Sequence, residues 1–237
     1  MTRFKAFGLH LAGSLTVIAC IFLALRQIWY PGQLFYLANG LDLMKILVPV
    51  DVILGPLLTL LVFDVAKKSL KRDLLIILLV QLSFLFYGLY IIFSVRPAYL
   101  TLLADNLYMV TANNVDTQSQ LKATEPQFKT LPLWGHETVS IRIPEGKISN
   151  EMQLRTAVGE GLQFLPEHYL KPKPGELRKA ARQPADIANL KPEQLKKAQE
   201  YLASHPGQKL GFIPLYIKLS QYLAIVDMDR EMILGVL

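Results

Sequence analysis

Residues 46–63 read ILVPVDVILGPLLTLLVF, and their reading decides the fold. The stretch is apolar and long enough to cross a bilayer, yet it carries Asp51, Pro49 and Pro56. A carboxylate at membrane depth costs roughly 2.5–3.5 kcal/mol even on lenient insertion scales. Proline inside a helix removes an N–H donor and bends the axis unless neighbours compensate. The segment therefore needs protein around it, and the flanking sequence supplies two more apolar runs.

Upstream, residues 6–25 (AFGLHLAGSLTVIACIFLAL) are interrupted only by His10 and follow Arg3 and Lys5. A cleaved signal peptide is the rival reading. The run exceeds the roughly 7–15 residues of a signal core, and Arg26-Gln-Ile-Trp-Tyr-Pro is a poor cleavage site, so an uncleaved span over about 6–27 is expected. Gly8, Ala12, Thr16, Cys20 and Ala24 recur at a spacing of four. Small residues so spaced let a second helix approach closely, and packing within the molecule is the expectation; the alternative is that small residues are common in membrane helices. Trp29 and Tyr30 suit the headgroup level as interface anchors, and Pro31-Gly32 turns the chain.

Downstream, residues 74–95 (LLIILLVQLSFLFYGLYIIFSV) carry no charge and are closed by Arg96-Pro97. Between the second and third runs lies DVAKKSLKRD, residues 64–73, the densest basic cluster in the chain. Short loops rich in Lys and Arg stay cytoplasmic. The pattern predicts spans at about 6–27, 46–63 and 74–95, with the N-terminus inside and residues 97–237 outside the cytoplasm.

Composition agrees with that division. The 237-residue chain is 52% hydrophobic, and the apolar excess lies in residues 1–96. Those residues hold nine Lys/Arg and four Asp/Glu (+5); residues 97–237 hold sixteen and fifteen (+1), which together give the net +6. The basic balance reports membrane topology, not a nucleic-acid surface. The lone Cys20 excludes an intramolecular disulfide.

The outer domain, 97–237, reads as mixed α and β. Strands are predicted at 107–112 (LYMVTA), 138–143 (TVSIRI), 210–219, 222–227 and 232–237, with a turn at 228–231. A helix over 150–164 is predicted from a capping box of Asn150 and Gln153. A Pro-rich connection runs over 165–191 with a short helix near 176–182, and Pro192 opens a helix that His205-Pro206-Gly207 stops after 204. The expected fold class is a membrane protein: a three-transmembrane-helix N-terminal bundle followed by a mixed α+β extracytoplasmic domain.

Catalytic and metal patterns are thin. His10, His136, His168 and His205 are scattered without metal-ligand spacing, and there is no phosphate loop and no nucleophile elbow. Pairs such as His136 with Glu137, or Glu167 with His168, are weak because adjacent residues on a strand face opposite ways. No enzyme, cofactor or metal is expected. The intramembrane polar residues are the better candidates. At about 1.5 Å per residue, His10 and Asp51 differ in depth by roughly 15 Å, which argues against a direct relay. Arg26, Arg96 and Tyr87 are the expected partners of Asp51. Asp51 is either neutralised within the bundle by one of these, or meets a polar group on a partner's helix, or serves proton or ion movement. Gly55-Pro56 is either a tolerated kink, with Gly55 and Thr59 as a small pair, or a notch that receives another helix.

Several motifs carry a resemblance: Phe4-Lys-Ala-Phe-Gly-Leu-His10-Leu-Ala-Gly-Ser14, Trp29-Tyr30-Pro31, Val50-Asp51-Val-Ile-Leu-Gly55-Pro56-Leu-Leu-Thr59, Gln81 with Tyr87-Gly88-Leu-Tyr90, and Arg96-Pro97. Leu133-Trp134-Gly135-His136-Glu137, Pro166-Glu-His-Tyr169 and residues 223–237 are less distinctive. Together they resemble the type IV pilin accessory proteins (TfpX/TfpZ, FimB-like fimbrial biogenesis proteins). The resemblance implies a non-enzymatic Gram-negative inner-membrane protein that supports expression, stability or assembly of a type IV pilin. Its expected partners are a pilin, through its transmembrane helix and head, the lipid bilayer and other pilus-assembly proteins. The candidate packing or pilin-contact residues are Gly8, Ala12, Thr16, Asp51, Gly55, Pro56 and Thr59. An envelope sensor with a ligand-binding or pilin-sensing periplasmic domain is the alternative.

Overall fold

A computed structural model of the chain describes residues 1–30, 33–38, 40–143 and 161–237. It divides into a helical unit, Met1–Trp29 with Phe35–Ser94, and a sheet unit, Tyr30–Leu34 with Val95–Leu237.

Among its described residues the helical unit is built on three long helices. Helix α1 is Arg3–Ile28, and α3 is Leu70–Ser94. Between them α2 runs without a break through an α segment Gly40–Val48, a π segment Pro49–Leu54 and an α segment Gly55–Val62. With 26 and 25 residues, α1 and α3 are each long and apolar enough to cross a membrane. Only 11% and 17% of their most apolar windows are buried, so neither is the core helix of a soluble domain. Leu9, Leu23, Leu75, Leu79, Phe84 and Phe86 all point outward. A helix that is apolar on all faces and so little buried fits a membrane span. Contacts run from α2 to both neighbours, which makes it the central helix.

Among its described residues the sheet unit has seven strands: β1 Pro97–Leu103, β2 Asn106–Thr111, β3 Glu137–Ile141, β4 Tyr169–Leu170, β5 Leu210–Ile217, β6 Ser220–Asp227 and β7 Met232–Val236. Their order is β4-β3-β1-β2-β5-β6-β7. The β1–β2, β3–β4, β5–β6 and β6–β7 pairs are antiparallel, and β1–β3 and β2–β5 are parallel. Among the described residues it is accompanied by the short α-helices α4 Thr117–Leu121, α5 Glu176–Ala180 and α6 Pro192–Ser204. One core cluster centres on Tyr99, Phe128 and Tyr169, whose rings meet edge-on at centroid distances of 5.0, 5.8 and 6.2 Å. A second packs Ala198 of α6 against Leu210, Phe212, Leu223 and Ile225.

Arg96 stands at the entry to this sheet, and its side chain is buried. Its carbonyl accepts from the Ala112 N–H at 2.9 Å, and its Nη2 donates to the Pro132 carbonyl at 2.9 Å. The Tyr99 hydroxyl donates to the Thr130 carbonyl at 3.2 Å. Burial lowers the Arg96 pKa from its ordinary value, with Tyr30 and Tyr99 acting the other way.

The helix over 192–204 lies where the sequence places it. The strands predicted at 107–112, 138–143, 210–219, 222–227 and 232–237 correspond to β2, β3, β5, β6 and β7 to within two residues at each end. Strand β1, at the middle of the sheet, was not anticipated: it begins at Pro97 and continues the apolar composition of the run before it. The predicted helix over 150–164 and its capping box, like the Pro31-Gly32 turn, fall outside the described residues except at Leu162–Phe164, which form a single 3-10 turn.

Two outcomes test this packing. Phe128→Ala removes the ring that Tyr99 and Tyr169 both contact and should destabilise the sheet unit by about 3–5 kcal/mol, read as a lower thermal midpoint of the detergent-solubilised protein. His136, half-buried before β3, has a covered Nδ1 with no hydrogen-bond partner among the described residues, and burial lowers its pKa from 6.5. The unfolded chain then binds that proton first, so its contribution to stability is complete above pH 6.5 and declines as pH falls below it. The unfolding midpoint should drop on mild acidification, and His136→Gln should reduce the drop.

Candidate functional site

The site is built on α2. Pro49 and Pro56 each lack the N–H that an α-helix would use, and the backbone between them widens into the π segment. There the Gly55 N–H donates to the Val50 carbonyl, five residues back. This winding turns Asp51, Gly55, Pro56 and Thr59 into the unit, where all four are buried.

The two flanking helices present polar groups to this face. Helix α3 turns Ile77, Gln81 and Ile92 inward. Gln81 Nε2 donates to the Asp51 main-chain carbonyl at 3.4 Å. A Cβ on Gly55 would stand where the Gln81 amide lies, so a larger residue obliges that side chain to move away from the Asp51 carbonyl. From α1, His10 Nδ1 and Thr59 Oγ1 share a hydrogen bond of 2.6 Å. A polar seam of Asp51, Gln81, Thr59 and His10 thus runs along an otherwise apolar unit. Asp51 and Gln81 are only 6% and 7% exposed. Asp51 Oδ2 and Gln81 Oε1 are sealed from solvent with no hydrogen-bond partner among the described residues. An unmatched enclosed polar group costs about 1–3 kcal/mol, so the seam carries a polar imbalance that its surroundings must support.

Several sequence expectations are corrected here. None of Arg26, Arg96 and Tyr87 is the group against Asp51. The Arg26 guanidinium stands 5.8 Å from the Tyr36 ring centroid. Tyr87 is 65% exposed, because it lies six residues from Gln81 and so on another face of α3. Arg96 belongs to the sheet unit and holds Pro132. Gln81 of α3 meets the Asp51 main chain and not its carboxylate; it is the only amide in residues 74–95, and that isolation was the available signal. The stripe Gly8, Ala12, Thr16, Cys20 and Ala24 is exposed along its length and does not pack within the molecule. Ala6, His10, Ser14, Ile18 and Leu25 face inward instead. Trp29 packs on Phe93 with ring centroids 5.1 Å apart, whereas Tyr30 is fully buried and is no headgroup anchor. Burial pushes the Tyr30 phenol well above its ordinary pKa, with the Arg96 charge pulling the other way.

In the sheet unit, Glu167 and His168 lie in a 3-10 turn rather than a strand, so their side chains do meet, at 3.6 Å. A cleft of about 830 Å³ borders β3 and β4, lined by Arg142, Lys171, Lys173, Glu125 and Glu176 among others. Among the described residues no three His, Cys, Asp or Glu side chains converge as metal ligands would.

The dependence on Gly55 is testable. Gly55→Ala should loosen the helical unit, read as a lower midpoint for loss of helix in detergent. Gln81→Ala in the same chain should restore most of the loss, because the obstructing amide is gone; a double-mutant cycle with no coupling would dissociate the two residues.

The chain is similar to proteins of Dichelobacter nodosus. It is 29% identical over 141 residues to the fimbrial assembly protein of serogroup I, covering 58% of this chain and 54% of that protein. To the fimbrial assembly protein of serogroup E1 it is 27% identical over 141 residues, with the same shares. To the fimbrial assembly protein of serogroups C1 and C2 it is 30% identical over 114 residues, covering 47% of this chain and 86% of that protein. The chain spans about half the length of the serogroup I and E1 relatives it matches. No family model matches it, and no solved structure is similar to it.

Proposed function

This chain belongs to the fimbrial assembly protein family, and from that premise we propose that it is a membrane-embedded, non-enzymatic accessory protein of type IV pilus biogenesis that holds a pilin before assembly. The names of its relatives support a role in building fimbriae. In this reading the helical unit crosses the inner membrane three times, with α2 as the second span. The basic loop at residues 64–73 is cytoplasmic and the sheet unit periplasmic. The apolar outer faces of α1 and α3 and the charge of that loop support the arrangement.

The observation that carries the holding role is the outward stripe of α1. Gly8 and Gly13 have no atoms within 4 Å of where a Cβ would stand, and Ala12, Thr16, Cys20 and Ala24 are exposed beside them. In hydrocarbon, helices associate through close backbone approach at small residues, because apolar burial drives nothing there. A pilin with a single apolar membrane helix would meet on α1 a face with room for its backbone. The seam of Asp51, Gln81, Thr59 and His10 then serves to hold the three helices in the register that presents this face.

Photocrosslinkers at Ala12 and Thr16 in cells should give pilin adducts, while the same groups at the inward Ile18 and Leu25 should not. Abundant pilin without adducts at the outward positions would end the holding role. Deleting the gene should lower pilin protein or surface pili at constant pilin mRNA. A fall in mRNA would instead favour an envelope regulator, and a changed pilin mass would favour a modifying enzyme.

A further inference from the structure

The loop Leu133-Trp134-Gly135 takes no part in the seam or in the stripe. Trp134 is 74% exposed and Leu133 59% exposed, and Gly135 turns the chain at φ 62°. The root of this loop is firmly held. Tyr99 Oη donates to the Thr130 carbonyl at 3.2 Å, and Arg96 Nη2 to the Pro132 carbonyl at 2.9 Å. Both donor side chains are buried. The exposed indole is therefore carried on a loop anchored from the core, not on a frayed segment.

The anchoring residue has a particular place in the sequence. Only Val95 separates Arg96 from Ser94, the last residue of the apolar helix α3. Covalent reach alone bounds the distance: two residues of backbone, one arginine side chain, one hydrogen bond and two more residues span at most about 25 Å. Where α3 crosses a bilayer, its end lies at the headgroup level, and Trp134 is tethered within that reach. Indole rings favour this zone, with an apolar body for the acyl boundary and an N–H for the polar layer.

We propose that Leu133 and Trp134 form a lipid-interface anchor, which docks the loop of the sheet unit onto the surface of the membrane that α3 crosses. The proposal rests on the membrane-spanning reading of α3. The chain has only two tryptophans, Trp29 and Trp134, so each can be read alone. Full-length Trp29→Phe protein, or Trp29→Tyr should the first not reconstitute, is placed in phosphatidylcholine vesicles. Lipids brominated high on the acyl chain should quench Trp134 emission more than lipids brominated near the methyl end. The emission should also shift to shorter wavelength relative to the unfolded chain. Trp134→Phe protein, in which Trp29 reports on the helical unit, is the control for insertion. Quenching of Trp29 without quenching of Trp134, or stronger quenching of Trp134 by the deeper bromines, overturns the anchor while the membrane reading stands. A protein that fails to float with vesicles and shows neither tryptophan quenched overturns the membrane reading, and the anchor with it.

Discussion

The helical unit depends on how α2 accommodates two prolines and a row of polar side chains inside apolar surroundings. A backbone N–H or C=O without a partner is most costly where no water can replace it. Pro49 and Pro56 remove two donors within eight residues, and the π turn between them is the response, with Gly55 reaching back five residues to Val50. The wider winding also leaves the Asp51 carbonyl able to accept from Gln81 of α3. Gly55 closes the π turn in ordinary helical conformation, and its missing Cβ is the space the Gln81 amide occupies. The prolines, the glycine and the glutamine are thus one solution to one problem, and changing any of them exposes the others.

The same geometry divides α1 into two faces. Helix positions two apart are rotated by about 200°. The inward series Ala6, His10, Ser14 and Ile18 therefore fixes the series Gly8, Ala12, Thr16 and Cys20 on the opposite side. The inward face is pinned where His10 bonds to Thr59. That single polar contact, in surroundings with little competition for it, sets the rotation of the helix and so determines that the small residues look outward.

Much of this was legible in the sequence, and what was not has physical causes. The alternation in β3 and the stop and start signals around α6 are local, and local patterns placed those elements. Strand β1 is buried on both faces, so it reads as one continuous apolar run with no period to separate it from the span before it. Asp51 was legible as the anomaly of its segment, but its surroundings were not. Electrostatic complementarity pointed to Arg26, Arg96 and Tyr87, whereas the helix rotations, which only packing decides, brought a neutral amide to its backbone. The small-residue stripe was legible as a contact surface but not as an outward one, because its spacing says which residues share a face and not which way that face turns. The Glu167–His168 pair was discounted on strand geometry that a 3-10 turn does not obey.

These constraints also decide which part of the helical unit is open to another helix. The seam is rich in acceptors and would reward an incoming donor, but Asp51 Oδ2 and Gln81 Oε1 have no exposed area. An incoming helix would have to part α2 from α3 before meeting them, losing the contact of Gln81 with the Asp51 carbonyl and the packing over Gly55. The face of α1 asks for no such opening. Its glycines leave open space for a backbone, and the Thr16 hydroxyl already donates to the Ala12 carbonyl at 2.9 Å, so no polar group there is left to be desolvated without a partner. In the proposed holding role, a helix that must later be released is better held by such a face. Its contacts are shallow and dispersive, and their loss leaves the seam intact.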